Sequence, residues 1–190
     1  MLFCSSAVFA QRKNIDSLAS LLRKDKDDTI KVKRLTDLGK EYTEIGEMDT
    51  AFYFYEACRK LASKLNYKKG ETAALLGFGN ISRAKGNFQE AIAHYNQAFK
   101  VAELSGNIKG ASAAISNIGN VYLFQGNYSG ALDNYFKALK MQEGLKTKSN
   151  TTALLGGIGT AYKLQGDFPK ALDYLLKALK AMRQRGIKGA

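Results

Sequence analysis

A chain of 190 residues in which 45% of the side chains are hydrophobic and 24% are charged has the composition of a domain with a substantial buried core. It contains a single proline, and no stretch approaches the roughly 18 consecutive apolar residues that span a bilayer, which favours long uninterrupted helices. The formal net charge of +12 is compatible with nucleic acid, an anionic membrane surface or an acidic protein as a partner. Cys4 and Cys58 lie in no CxxC or Cys/His cluster, so neither a zinc site nor a disulfide framework is supported.

The first 28 residues precede the regular part of the sequence. Residues 1–10 are apolar and small and end at Ala10, which predicts the remnant of a secretory signal peptide. On that interpretation the protein is extracytoplasmic, on the periplasmic side; the alternative is a disordered, mildly apolar tail on a cytoplasmic protein. Residues 11–28 are predicted to form an N-terminal capping helix, because apolar side chains recur there at helical spacing. These side chains are Ile15, Leu18, Leu21 and Leu22.

From residue 29 onward the sequence repeats itself with a period of 40 residues. Two glycine series have this spacing: Gly39, Gly79, Gly119 and Gly159, and Gly46, Gly86, Gly126 and Gly166. Two series of small residues share the register: Ala51, Ala91, Ala131 and Ala171, and Cys58, Ala98, Ala138 and Ala178. Four series in one register indicate repeats at about residues 29–67, 68–107, 108–147 and 148–186. Residues 187–190 echo the opening of the third repeat and predict the start of a further one.

Each repeat is predicted to be a pair of helices joined by a tight turn. Apolar and small residues fall at i, i+3, i+4 and i+7 in both halves, as from Leu35 to Tyr42 and from Ala51 to Cys58. Between the halves, a glycine suited to the left-handed conformation precedes a polar residue, and Asn or Asp at that position can cap the next helix. The four such pairs are Gly46-Glu47, Gly86-Asn87, Gly126-Asn127 and Gly166-Asp167.

The repeat resembles the tetratricopeptide repeat, whose signature is W-x2-L-G-x2-Y, then A-x3-F and A over 34 residues. The third repeat has I-x2-I-G-x2-Y from Ile115, A-x3-Y from Ala131 and then Ala138, and the fourth has L-x2-I-G-x2-Y from Leu155. The resemblance covers roughly residues 29–186; it lacks the tryptophan and the terminal proline, and each repeat is six residues longer (40 minus 34). It implies an all-α fold, an α-α superhelix or tetratricopeptide solenoid with four helix-turn-helix repeats plus the capping helix.

No catalytic, metal or cofactor site is predicted from the sequence. The one histidine, His94, has no partner group beside it and is interpreted as a surface residue on a helix. Cys58 stands where the other repeats have alanine, which predicts a small core residue. The glycine runs near Gly77 and Gly156 lie inside helical pattern and are not followed by Lys-Ser/Thr, so close helix packing explains them better than phosphate binding.

The resemblance also implies a binding surface, because the first helices of such repeats line a concave groove. Related arrays hold an extended peptide through asparagines at the slots of Asn80 and Asn120, and basic side chains there attract acidic groups. The predicted groove residues are Lys33, Lys40, Asn80, Arg83, Asn117, Asn120, Leu123, Phe124 and Lys163. Leu123 and Phe124 are expected to be exposed there, which favours a binding surface. The alternative interpretation is an ordinary solvated helix face.

Three functions remain open at this point. The sequence is interpreted as a protein- or peptide-binding scaffold, the sensory or interaction part of a bacterial signalling protein such as a sensor histidine kinase. The alternatives are a free-standing scaffold or co-chaperone and, with less support, a nucleic-acid-binding solenoid. The last helix carries apolar residues where a terminal repeat needs a polar outer face, so the chain is expected either to be a fragment of a longer protein or to self-associate through that face. These residues are Leu175, Leu176, Leu179 and Met182.

Overall fold

A computed structural model describes residues 14–143 and 151–186 of the chain, and these two ranges contain nine α-helices and no strand. The first helix, α1, covers residues 14–22. The others are α2 (Thr29–Glu44), α3 (Met48–Lys64), α4 (Lys68–Ala84), α5 (Phe88–Leu104), α6 (Ile108–Phe124), α7 (Tyr128–Gln142), α8 (Thr151–Gln165) and α9 (Phe168–Gly186). None of these helices has the length and hydropathy needed to cross a bilayer.

The chain divides into two compact units, the first ending at Ser105 and the second beginning at Gly106. In the first unit α2 packs on α3, α3 on α4 and α4 on α5, and α2 also contacts α4. In the second unit the order is the same: α6 packs on α7, α7 on α8 and α8 on α9, and α6 also contacts α8. Within each unit, therefore, the first helices of successive repeats are neighbours.

The core of each unit follows the periodicity of the sequence. The alanines at the start of the second helices, Ala51, Ala91 and Ala131, are completely buried, because two helices approach each other closely there. One tyrosine per repeat fills the space beside them, and these three rings are the largest fully buried side chains among the described residues. They are Tyr55, Tyr95 and Tyr135.

The turn within each repeat is closed by one recurring hydrogen bond. Gly86 has φ +79°, and the N–H of Asn87 donates to the Ser82 carbonyl at 2.8 Å, which satisfies an otherwise unpaired carbonyl at the helix end. The capping prediction is confirmed at Asn127, whose Oδ1 accepts from the Gly130 N–H, and at Asp167. It is wrong for Asn87, whose side chain makes no cap and whose amide donates instead to a glutamate of the first turn of α5. Glu47, for which no cap was predicted, makes none.

At the start of the array, polar contacts join the segment after α1 to α2. Asp28 caps α2, accepting at Oδ1 from the N–H groups of Ile30 and Lys31 at 2.8 and 3.0 Å. Arg34 of α2 forms an ion pair with Asp25. The predicted signal-peptide remnant (1–10), residues 11–13 of the predicted capping segment and the start of a further repeat (187–190) lie outside the described residues.

Candidate functional site

In the first unit, a polar cluster on α4 contains two of the predicted groove residues. The Tyr95 ring of α5 is fully buried against Gly79 of α4, where an added Cβ would lie 2.3 Å from the ring. Because glycine leaves that space open, the Tyr95 hydroxyl reaches the neighbouring residue and donates to Asn80 Oδ1 at 2.8 Å. The positive charge of Arg83 also acts on this tyrosine. Asn80 and Arg83 are half-buried, so the cluster borders the surface.

The electrostatics of this cluster are governed by burial and by one cation. Burial raises the pKa of Tyr95, because the charged phenolate would be poorly solvated. The positive charge of the nearby Arg83 lowers the pKa of Tyr95 and so acts in the opposite direction. The tyrosine therefore stays neutral around pH 7 and keeps its O–H hydrogen, which is what the bond to Asn80 requires.

The second unit repeats the arrangement on α6. The Tyr135 ring of α7 is buried against Gly119, and its hydroxyl donates to Asn120 Oδ1 at 2.7 Å. Burial raises the pKa of Tyr135 to about 12. Asn120 Nδ2 lies 3.5 Å from Asn117 Oδ1, which brings both predicted asparagines of this unit together on half-buried surface.

The first repeat has the tyrosine but no asparagine. Tyr55 is buried as deeply as the other two rings, but Lys40 stands where Asn80 and Asn120 stand in the following repeats. Lys40 and Lys33 are exposed and line a cleft of about 520 Å³ between α2 and α4. The Lys40 ammonium lies 3.8 Å from Asp37 Oδ1, so this cleft carries a carboxylate as well as cations.

The remaining predicted groove residues differ in their solvent exposure. Phe124 is 66% exposed, as predicted from the sequence, and Lys163 is exposed as well. Leu123, which was also expected to be exposed, is half-buried, because it lies about 100° around α6 from the exposed Phe124. Peptide binding by these residues stays a prediction.

Two features of the molecule were not predicted from the sequence. Tyr95 and Tyr135 were not assigned to the binding surface, although an asparagine 15 residues earlier accompanies the tyrosine in these two repeats, which is a detectable signal. The second feature is a cleft of about 680 Å³ in the first unit, formed by side chains of α3, α4 and α5. Its basic lining residues are Arg59, Lys60, Lys64 and Lys100.

Two residues whose side chains could take part in catalysis or metal binding, Cys58 and His94, pack against neighbouring side chains. Cys58 is buried, its sulfur lies 3.1 Å from Thr36 Oγ1, and burial raises the pKa of its thiol. His94 is not the fully solvated residue that its sequence position suggested, because its ring lies 5.6 Å from the Phe78 ring and is only partly exposed. Within residues 14–143 and 151–186, no cluster of three histidine, cysteine or acidic side chains is suited to hold a metal ion.

The last helix leaves an apolar face uncovered. Leu172 and Met182 of α9 are 60% and 57% exposed. The residues that stand 40 positions earlier on α7, Leu132 and Gln142, are buried in the unit where α8 packs on α7. This face is exposed because α9 is the last described helix of the unit, and of the described helices only α8 packs on it.

Helix pairs of fixed period, each packed on the next within its unit, define a helical-repeat protein of the scaffold class. The sequence profile of the tetratricopeptide repeat family matches residues 70–144 and again residues 110–184, together more than half of the chain. The chain belongs to the tetratricopeptide repeat family, and as such is a protein-interaction scaffold. This confirms the resemblance and the all-α solenoid fold class expected from the sequence. No curated protein sequence matches the chain.

Solved structures share the fold at low sequence identity. BtubC from P. vanneervenii is 19% identical with a TM-score of 0.70, over 96% of this chain and 79% of BtubC. The Rap conjugation gene regulator of plasmid pLS20, in complex with the Phr* peptide, is 18% identical with a TM-score of 0.80, over 95% of this chain. Aspartyl phosphate phosphatase F from Bacillus subtilis is 16% identical with a TM-score of 0.78, over 94% of this chain. The chain spans about half of these last two proteins, 49% and 50% of their lengths.

Proposed function

We propose that this scaffold binds an extended peptide with acidic or carbonyl-rich character on the exposed sides of its first helices. The observation that carries the proposal is the half-buried asparagine of α4, Asn80, beside the cation Arg83. An amide can pair with a peptide unit whatever its side chain, and a neighbouring cation favours acidic sequences. The pair Asn117 and Asn120 on α6 supplies a second, separate instance.

We further propose that the chain acts in signal transduction. In this role it is the sensory or interaction part of a bacterial signalling protein such as a sensor histidine kinase. Two structural relatives support this context by what their names state. One is a signal transduction ATPase with a tetratricopeptide repeat sensor from Pyrococcus horikoshii, 20% identical with a TM-score of 0.69 over 89% of this chain and 27% of that one. The other is the Rap regulator with its bound Phr* peptide. A free-standing scaffold or co-chaperone is the alternative.

A peptide array tests the binding proposal. Wild-type chain is expected to retain peptides rich in Asp, Glu and Gly, and Asn80→Ala and the double variant Asn117→Ala/Asn120→Ala are expected to retain them about 3- to 10-fold less, the effect of losing a hydrogen bond. Asn96→Ala is the matched control, because Asn96 is exposed on the second helix α5. Retention unchanged in both asparagine variants, or no retention by the wild type, would contradict the proposal.

The cellular location is also proposed, from residues 1–10 alone. We propose an extracytoplasmic protein, because the small-residue ending at Ala10 favours cleavage of a signal peptide. A fusion of the chain to an alkaline phosphatase that is active only after export tests this. Phosphatase activity that needs residues 1–10 supports the proposal, and an inactive, cytoplasmic fusion refutes it.

A second candidate function, self-association, is favoured by the apolar face of α9. Exposed leucines in one row are rare on a monomer and typical of an interaction surface. Light scattering is expected to show a dimer that Leu176→Glu dissociates. Leu104→Glu is the control, because Leu104 is 90% exposed but lies on α5. A monomeric wild-type chain would refute self-association.

A further inference from the structure

The two hydrogen bonds between tyrosine and asparagine assign a function to residues that otherwise only fill space. We propose that Tyr95 and Tyr135 are positioning residues: each hydroxyl binds the amide oxygen of Asn80 or Asn120, so that the face presents only N–H donors there and selects partners that offer oxygen acceptors. This inference rests on the proposed function, and it deepens it by stating which atoms of a partner the face recognises.

The direction of the hydrogen bond at Tyr95 is fixed by the chemistry of its neighbours. An amide oxygen carries lone pairs and no hydrogen, so it can only accept, and the Tyr95 hydroxyl must be the donor. The acceptor within reach is Asn80 Oδ1, at 2.8 Å. The Asn80 amide is therefore held by its oxygen, and its Nδ2 group is directed away from the tyrosine.

The position of the hydroxyl is fixed by packing. The Tyr95 ring is fully buried and so close to Gly79 that even one methyl group would collide with it. In the second unit, Tyr135 lies between Gly119 of α6 and Gly157 of α8, with added Cβ atoms at 2.9 and 3.0 Å from the ring. Because the packing prevents the ring from moving, its hydroxyl stays in one place. The hydrogen bond to that hydroxyl therefore restrains rotation of the asparagine side-chain amide.

The consequence for recognition is a difference between a free and a held amide. A freely rotating asparagine can turn either its oxygen or its N–H groups toward a partner. An asparagine whose oxygen is occupied offers donors only, and these suit the carbonyl of a peptide bond or a carboxylate. On α4 the charge of Arg83 adds attraction for a carboxylate, which makes an acidic peptide the favoured occupant.

The other two repeats provide a comparison within the same chain. In the first repeat Tyr55 is present but Lys40 replaces the asparagine. In the fourth, Leu175 replaces the tyrosine and Thr160 replaces the asparagine, with its hydroxyl bonded to the Gly156 carbonyl of its own helix at 2.9 Å. The asparagine accompanies the tyrosine in two repeats and is absent where the tyrosine is missing. This is expected if the tyrosine serves to position the asparagine.

The test follows the side-chain amide signals of Asn80 and Asn120 by NMR in the intact chain. The probes are sodium acetate, a carboxylate, and N-methylacetamide, which represents a peptide carbonyl. In the wild type both amides are expected to respond to the probes. In Tyr95→Phe the Asn80 response is expected to fall about 3- to 10-fold, the loss of one hydrogen bond. Tyr135→Phe is expected to do the same at Asn120.

A double-mutant cycle completes the test. In it, binding of the probes to α4 is measured from the backbone NMR signals of that helix. If Tyr95 acts through Asn80, Tyr95→Phe weakens probe binding in the wild type and has no further effect in Asn80→Ala. Tyr55→Phe is the matched control, because it removes an equally buried hydroxyl without touching an asparagine. Equal weakening in both backgrounds, or by the Tyr55 control, would show a merely structural effect and overturn the inference.

The outcomes separate this inference from the proposed function. Asparagine variants that weaken probe binding while the tyrosine variants do not would overturn the positioning inference and leave the binding face intact. A wild-type chain that responds to neither probe would overturn both. A response to acetate that fades with salt indicates a carboxylate as the partner group, whereas a salt-independent response to N-methylacetamide indicates a peptide carbonyl; either supports the inference.

Discussion

Replacing Gly79 by alanine tests how closely the helices of a repeat must approach. The new methyl group would lie 2.3 Å from Cε1 of the Tyr95 ring, well inside van der Waals contact. Because that ring is completely buried, it cannot swing into solvent, and the helix or the ring must shift instead. A shift of the ring also disturbs the hydrogen bond to Asn80.

The expected magnitude is the sum of three effects. Alanine in a helix interior is favoured over glycine by about 1 kcal/mol. Overpacking of a close-packed site costs about 1–3 kcal/mol. Loss of the hydrogen bond from Tyr95 to Asn80 costs about 1 kcal/mol more. Gly79→Ala is therefore expected to lower the free energy of unfolding by about 1–3 kcal/mol.

Gly156→Ala is the matched control, because an added Cβ there meets nothing within 4 Å in the interior of α8. Only the helix propensity changes, so this variant is expected to gain about 0.5–1 kcal/mol. Urea unfolding followed by far-UV circular dichroism measures both variants. A Gly79→Ala chain as stable as the wild type, or one that matches Gly156→Ala, would refute the close approach of ring and helix.

Two further predictions concern buried side chains. Burial raises the pKa of Tyr55 and Tyr135 from 10.0 to about 12, so the unfolded chain loses these protons first. The free energy of unfolding is expected to be unchanged below about pH 10 and to fall by roughly 2–3 kcal/mol per ring as the pH rises toward about 12. In Tyr→Phe variants the fall is expected to be smaller, and an equal fall in those variants would contradict the prediction. Cys58→Ala is expected to cost less than about 1 kcal/mol in thermal unfolding, because Thr36 keeps its bond to a main-chain carbonyl. In a Cys4→Ser background, Cys58 is expected to react with thiol reagents only as the chain unfolds, and fast labelling of the folded chain would contradict its burial.

The parts of the fold that local chemistry controls were predictable residue by residue. The turn at Gly86 follows from the left-handed conformation that glycine adopts without strain, and the burial of Ala91 follows from its place in the helical period. The caps were less predictable, because Asn87 bonds a glutamate side chain instead of the helix N-terminus. The Asn87 side chain can bond either the backbone N–H groups of α5 or the Glu90 carboxylate, and the sequence alone does not show which partner it takes.

The candidate site was predictable as a set of positions but not as a set of contacts. Asn80 and Asn120 were found from the repeat, whereas the engagement of their amide oxygens by tyrosines 15 residues later was not. The exposure of Leu123 was also predicted wrongly, since one helical position of about 100° separates it from the exposed Phe124.

The sequence by itself determined the period, the helix pairs, the turns and the all-α class, because each depends on interactions among residues a few positions apart. Only the tertiary structure decided which atoms of Asn80 and Asn120 remain available to a partner. That depends on where a tyrosine hydroxyl emerges after two helices have packed across a glycine, a distance set by the crossing of the helices and not by either helix alone.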